Sequence, residues 1–531
     1  MKQQIFKLSL LTASVALILS ACTKDLDRLP TNQVTAESVY KTAAGYKQAL
    51  AKVYGSMAMT GNQGPAGNPD IPTTIIDEGT SDFIRLYWKA QELSTDEAVI
   101  AWGDPGIQDF HNMNWSSDNP MLKGLYYRSM YQITLCNDFI RQSTDAKLSE
   151  RGISGTDAAD IVHYRAEARF LRAMQYSVLM DLFGNPPFAT EATLIGSAPP
   201  PRATRSELFN YIESELKAID GDLVAAKGNE YGRVDKAAAW ALLARNYLNA
   251  QVFTGTSKYT EAITYSKKVI DAGYTLISDY RELMLADNHL NKNEFILTVN
   301  YDGIKTQGYG GTTFLNHASV GGSMSASNYG IDGGWGGVRT TKNIPNLFPD
   351  VTGAADKRAQ FYTTGQNIDI NSLTTFTDGY AITKYRNKKK DGTNGSNATF
   401  VDIDFPLFRL PEMYLIYAEA ILRGGTGGDP ALALQYINNI RTRAYGNLTG
   451  NITAPNLTLD FIIAERGREL CWEGFRRTDL IRFGKFTENT YLWPWKGGVS
   501  GGQPVASFRS LYPIPSSDIV TNPNLIQNTG Y

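Results

Sequence analysis

Two pairs of adjacent carboxylates, Asp77-Glu78 and Asp96-Glu97, are the first candidates for chemistry. Glycoside hydrolysis needs two carboxyl groups facing each other across a scissile bond, and neighbours in sequence do not report that separation. In a chain with 53 acidic residues, hydrogen-bonded and solvated roles are commoner. His111, His163, His289 and His317 are widely spaced, and none forms the i, i+4 pair around a Glu that a zinc protease requires. Lone histidines of this kind read as hydrogen-bonded structural residues. Cys22, Cys136 and Cys471 have neither zinc spacing nor the numbers for a disulfide framework. A G-x-S-x-G elbow, a P-loop and an EF-hand spacing are all missing. Gly308-Tyr309-Gly310-Gly311 is expected to lack the flanking strand and helix that give a phosphate loop its meaning. The expectation is therefore no enzyme, no metal and no cofactor.

Aromatic rings set among glycines are the stronger signal. Trp102 lies in Ile100-Ala101-Trp102-Gly103-Asp104, Tyr309 in Gly308-Tyr309-Gly310-Gly311, and Trp335 between Gly333-Gly334 and Gly336-Gly337. Glycine flanks remove bulk and leave a ring face accessible. A flat exposed ring can stack on the apolar face of a pyranose while nearby Asp, Asn and Arg bond its hydroxyls. The residues alone also permit a plainer role, in which the rings plug gaps beneath long loops.

These loops need a frame. Apolar residues recur at three- and four-residue spacing over Val39–Tyr54, Leu122–Ile140, Ala158–Leu182, Ser206–Leu223, Asp235–Ala250, Tyr259–Ala272, Leu410–Leu422, Pro430–Ala444 and Leu457–Glu473, which predicts helices there. Thr204-Arg205-Ser206 reads as a capping stretch and Gly273 as a C-cap. The pair Asp235–Ala250 and Tyr259–Ala272 spans close to one tetratricopeptide period, and Tyr414–Leu422 with Ala431–Ala444 is a second candidate. Generic helix packing would use similar Ala–Leu spacing. The favoured reading is degenerate tetratricopeptide-like pairs stacked into one right-handed α-α superhelix. Repeat pairs are expected at about 36–58, 122–272 and 406–484. Residues 60–120 and 275–405, rich in Gly and Pro, are expected as loop-rich insertions that build a ligand-binding face.

The whole chain has 531 residues and a net charge of −2, with 42% hydrophobic and 20% charged residues. A packed core is feasible, and the near-neutral balance argues against nucleic acid as a partner. At the amino end, Lys2 and Lys7 precede an apolar run from Leu8 to Leu19 that is too short to span a bilayer. Leu19-Ser20-Ala21-Cys22 resembles a bacterial lipobox, in which the cysteine thiol is lipidated and the chain is cut just before it. Residues 1–21 are thus expected to be a lipoprotein signal peptide, Cys22 the lipid attachment site, and 22–531 a single domain.

Further motifs run in order to the last residue: Arg165–Ala173, Leu182–Phe188, Arg233–Ala239, Asp404–Leu410, Glu465–Leu470, Glu473–Gly484, Tyr512–Pro515, Asn522–Leu525 and Gln527–Tyr531. Together with the lipobox they resemble the SusD/RagB family of Bacteroidetes outer-membrane nutrient-binding lipoproteins. Asp77–Gly79, Glu92–Glu97, Asp302–Thr306, Tyr309–Gly311, Tyr491–Gly498 and the Trp335 region are similar to the family's starch-binding founding member. The resemblance implies that Trp102, Tyr309 and Trp335 form an arc of rings along a helical α-glucan, with Asp77 and Arg85 as polar members of the site. It implies a cell-surface, lipid-anchored protein that captures starch-type glucan without cleaving it and passes oligosaccharides to a SusC-like TonB-dependent transporter. Gly103-Asp104-Pro105-Gly106 departs from the family pattern, where this stretch carries a hydrogen-bonding Asn. Capture of another polysaccharide, a surface glycosidase and a protein-binding tetratricopeptide scaffold are the alternatives.

Overall fold

The computed structural model describes residues 36–194 and 196–531; the expected signal peptide, residues 1–21, and Cys22 lie outside the described residues. Helices dominate. The frame consists of α1 (Ala43–Gly55), α3 (Pro120–Gln142), α4 (Gly155–Leu182), α5 (Arg205–Ala218), α6 (Lys236–Leu248), α7 (Tyr259–Asp271), α9 (Leu410–Leu422), α10 (Pro430–Tyr445), α11 (Leu459–Glu469) and α12 (Arg476–Arg482). The loop-rich regions carry α2 (Phe83–Glu92) and α8 (Gly311–Ala318), together with six short strands. These are β1 (Ala98–Ile100), β2 (Phe295–Val299), β3 (Val338–Thr340), β4 (Phe361–Tyr362), β5 (Ala381–Ile382) and β6 (Phe405–Arg409).

Local signals set the helix ends. Thr204 caps α5 in a capping box with Glu207, and Asp235 caps α6 by accepting from the amides of Ala237 and Ala238. Gly273, with φ +83°, follows the end of α7. Burial of Ala262, Ile263, Ser266 and Val269 turns one stripe of α7 inward. Neighbours then stack in series: α3 on α4, α4 on α5, α6 on α7, α7 on α9 and α9 on α10. The last contact includes Tyr414 and Tyr436 stacked at 4.5 Å. Tetratricopeptide-like pairing thus continues from α7 to α9 across the whole 275–405 insertion, whose root is closed by antiparallel pairing of β2 with β6.

Some boundaries differ from the sequence expectation. The helix expected over Val39–Tyr54 starts at Ala43, where the Thr42 hydroxyl accepts from Gly45 N–H. The one expected over Ser206–Leu223 stops at Ala218, and Leu223 reaches the core from the turn that follows. The long helix expected over Leu457–Glu473 ends at Glu469. Trp472 and Gly474 adopt left-handed backbone angles, φ 64° and 82°, before α12 begins.

Residues 60–120 and 275–405 are also less irregular than expected. In α2, Arg85, Lys89 and Glu92 recur at helical spacing, but the pattern lasts only ten residues, and Lys89 and Glu92 are buried along with Phe83, Ile84, Leu86 and Trp88. Every residue of α8 is buried as well. Pairing of β1 with β3 joins the two insertions into one face.

Arginine–carboxylate pairs tie the C-terminal helices together within the core. Arg409 bonds Glu294, Glu469 and Glu473, Arg358 bonds Glu465 and Glu469, and Arg466 bonds Asp479. Multiple charge-assisted bonds of this kind are what makes burial of so many ions tolerable.

Candidate functional site

Trp102 stands two residues beyond β1 and Trp335 three residues before β3. In the antiparallel register Ile100 opposes Val338, and Ala101 N–H continues the ladder to Gly337 O at 2.8 Å. This pairing brings the two indoles together, with centroids 6.3 Å apart at 46°. The indole N–H of Trp102 donates to the Trp335 carbonyl at 3.1 Å. Gly337 makes the arrangement possible, since a Cβ there would fall 2.5 Å from Trp102 Cε2.

Trp335 lies on the imidazole of His317, centroids 4.7 Å apart and nearly parallel at 25°. The two ring nitrogens of His317 face the carbonyls of Gly333, 2.6 Å away, and Thr399, 3.0 Å away. His317 is therefore the support beneath one face of Trp335. On the other side of the pair, Phe314 of α8 meets Trp102 edge-on at 6.0 Å and Trp88 of α2 at 5.6 Å.

Tyr309 precedes α8 and is 37% exposed, with its ring 5.4 Å from Phe400. Contrary to the sequence expectation, a helix does follow the Gly308–Gly311 loop. Its amino end is occupied by the buried Asp82 carboxylate, which accepts from Gly311 N–H and from Arg85 N–H, each at 2.8 Å. One carboxylate thus caps both α2 and α8 where their dipoles favour negative charge, leaving no phosphate cradle. Burial raises the Asp82 carboxyl above its usual range, against the lowering effect of those amide bonds.

Arg85 ties Tyr309 to the indoles. Its Nη1 donates to Tyr309 O at 2.7 Å and to Gly79 O at 3.1 Å. Its guanidinium carbon lies 4.9 Å from the Phe314 centroid and 5.9 Å from that of Trp102. Burial pulls this group down to about 10, opposed by Asp77, Asp82 and Asp104. Arg85 Nε is buried without a partner. Asp77 is exposed beside it and accepts from Thr80 N–H at 2.9 Å. Gly79 lies between them, where a Cβ would make ordinary contacts of 3.4 Å with Asp77 Oδ1 and Tyr309 Cβ.

All five residues singled out from the sequence, Trp102, Tyr309, Trp335, Asp77 and Arg85, therefore share one patch. The supporting Asp82, Phe314, His317 and Phe400 carried no signal of their own, being a buried carboxylate, two phenylalanines in a region expected to be loop-rich and a lone histidine. The other carboxylates considered for catalysis have structural work. Asp96 is fully buried and takes two bonds of 2.7 Å from Arg476, while Glu97 accepts from Trp472 N–H and Glu78 from Gly67 N–H. His111 is bonded to Gln108, which in turn donates to the carbonyl of Trp102.

Comparison with known proteins places this architecture. A model of the SusD family matches residues 350–531, and one described as "Starch-binding associating with outer membrane" matches residues 26–248. The starch-binding protein SusD of Bacteroides thetaiotaomicron is 36% identical over 578 aligned positions, covering 100% of this chain and 99% of that one. Among solved structures, a SusD homologue from Bacteroides thetaiotaomicron aligns with a TM-score of 0.73 at 19% identity, covering 94% of this chain and 99% of its own. Surface glycan-binding protein A from the same organism, in complex with laminarihexaose, aligns with a TM-score of 0.68 at 21% identity over 91% and 99%. The two structures share the fold, the first relative shares the sequence from end to end, and this chain belongs to the SusD family.

Proposed function

We propose that the chain is a non-catalytic, cell-surface glycan-binding lipoprotein that captures starch-type α-glucan on Trp102, Tyr309 and Trp335. Asp77 and Arg85 read hydroxyl positions at the rim. The observation that carries this reading is the rigid mounting of three accessible rings on one patch: Trp102 and Trp335 through the β1–β3 ladder, Tyr309 through Arg85. Rings held in advance lose little freedom when a sugar stacks on them. The full-length relative named as starch-binding supports the choice of glucan. Modest affinity per site would be raised by the repeating polymer. On the same reading Cys22 carries the lipid that anchors the protein in the outer membrane, and captured oligosaccharides pass to a SusC-like TonB-dependent transporter.

Capture of a different polysaccharide is the second reading. It is favoured by the exposed Gly103-Asp104-Pro105 stretch beside Trp102, which departs from the family pattern, and by a neighbour of the same fold holding laminarihexaose. Native affinity electrophoresis through amylopectin, pullulan, dextran, levan and xylan separates the two. The first reading predicts retardation by amylopectin and pullulan that Trp102→Ala and Trp335→Ala abolish. Retardation by another polymer alone would keep the capture role and move the substrate. No retardation by any polymer would end the stacking argument.

A further inference from the structure

Beyond Trp335 the accessible surface continues onto two glycines and another ring. A Cβ on Gly321 would lie 2.7 Å from Gly336 Cα and 3.0 Å from the ring of Phe376. A Cβ on Gly336, which holds φ +56°, would lie 3.8 Å from that ring. The half-buried Phe376 ring is thus seated on the backbone of Gly321 and Gly336, directly beside half-buried Trp335. A ring seated on bare backbone on one side can offer its remaining surface to a ligand. Hydroxyls border it: Ser323, Thr374 and Thr375 are exposed, with Ser323 Oγ 3.0 Å from Tyr362 Oη.

The loop carrying Phe376 is pinned to the same strand that positions Trp335. Buried Arg339, in the middle of β3, donates Nε to Asp378 O at 2.7 Å and Nη2 to Ser372 O at 3.1 Å and to Leu373 O. Its Nη1 reaches back to Gly337 O at 3.4 Å. Within the loop the Asp378 carboxylate accepts from Asn371 N–H, Ser372 N–H and Asn367 Nδ2. Trp495 Nε1 donates to Ile370 O at 2.8 Å. The loop of Phe376 is therefore fastened through Arg339 to the strand that follows Trp335.

We infer that Phe376, seated on Gly321 and Gly336, is a fourth stacking position that takes a further pyranose of the same glucan chain beyond Trp335. The inference rests on the glucan-capture reading above and adds to it a dependence on chain length. A ligand that fits on three rings does not reach Phe376, whereas a longer one does.

Isothermal titration calorimetry with maltotriose and maltoheptaose tests this. Phe376→Ala is expected to weaken maltoheptaose binding by about threefold to tenfold, the size of one aromatic contact. It is expected to leave maltotriose unchanged, and Phe376→Tyr is expected to restore the lost affinity. Trp102→Ala is expected to weaken both ligands. Equal maltoheptaose affinity in wild type and Phe376→Ala would overturn the fourth position, with the three-ring reading left standing. Equal loss for both lengths would also overturn it, since Phe376 would then act by holding Trp335. If wild type bound neither ligand, the glucan-capture reading itself would fall and take the fourth position with it.

Discussion

Lys89 is the least expected residue of the site. It lies one turn after Arg85 on α2, fully buried, and its Nζ is 5.5 Å from the Phe314 ring that Arg85 also covers. Its hydrogen-bond acceptor is the Met121 sulfur at 3.6 Å, a weak partner for an ammonium group. Burial holds the amine well below its ordinary value, and the positive Arg85 lowers it further. The unfolded chain then binds more protons than the folded one between that depressed value and 10.5, so this residue's contribution to stability rises with pH through that window. Lys89→Met keeps the stem and removes the buried amine. It is expected to raise stability by about 1–3 kcal/mol at pH 7, with the gain shrinking as pH approaches 10. Urea denaturation at several pH values reads this directly. A destabilised variant, or a gain independent of pH, would mean the amine is charged and compensated in the fold.

At the scale of elements, the β1–β3 ladder rather than any single ring defines the patch, and Gly337 is where the ladder and the ring meet. A methyl there would overlap Trp102 Cε2, Cζ2 and Nε1, all within 2.9 Å of the added carbon. Gly337→Ala is expected to displace the indole and abolish retardation in amylopectin gels as Trp102→Ala does, at a stability cost of about 1–3 kcal/mol. Unchanged retardation would show that the seating of Trp102 is irrelevant to binding. This dependence also explains what the sequence could and could not disclose. Helices such as α7 and α10 were legible because a buried stripe repeats along them or because caps mark their ends. Helix α2 was not, because its stripe of Arg85, Lys89 and Glu92 lasts only ten residues within a region rich in Gly and Pro. Trp102 and Trp335 stood out through their glycine neighbours and through family resemblance. Their mutual contact did not, since it depends on pairing three-residue strands more than two hundred positions apart, for which no local pattern exists. Gly337 read as a flank that leaves the face of Trp335 accessible, whereas the ring it makes room for is Trp102.

At the scale of the molecule, the C-terminal helices hold the platform through the turn between α11 and α12. Trp472 O accepts from the Trp88 indole at 3.2 Å, and Trp472 N–H donates to Glu97 at 2.8 Å. The amides of Gly474 and Phe475 donate to Glu92 Oε1 at 2.6 and 3.1 Å, and Arg476 pairs with Asp96. Three carboxylates from the platform side, at the end of α2 and just before β1, thus meet one turn of the C-terminal region. Glu92 and Glu97 are both fully enclosed and repel one another. Burial is the larger cause that lifts Glu97 to about 7, and it lifts Glu92 well above 4.5. Glu92 Oε2 is buried without a donor, the position a proton shared with Glu97 would fill. Both folded-state values lie above the unfolded one, so the folded protein holds the extra proton and this junction loses stability as pH rises from about 4.5 through 7. Glu92→Gln keeps an acceptor oxygen for Gly474 and Phe475 and supplies a permanent N–H toward Glu97. The urea midpoint of wild type is therefore expected to fall between pH 5 and pH 8, and that of Glu92→Gln to fall less. The difference between the two slopes isolates the pair from every other titrating group. Equal slopes would mean that no proton is shared across the junction, and that the platform is fastened to the C-terminal helices by the Asp96–Arg476 pair and the backbone bonds alone.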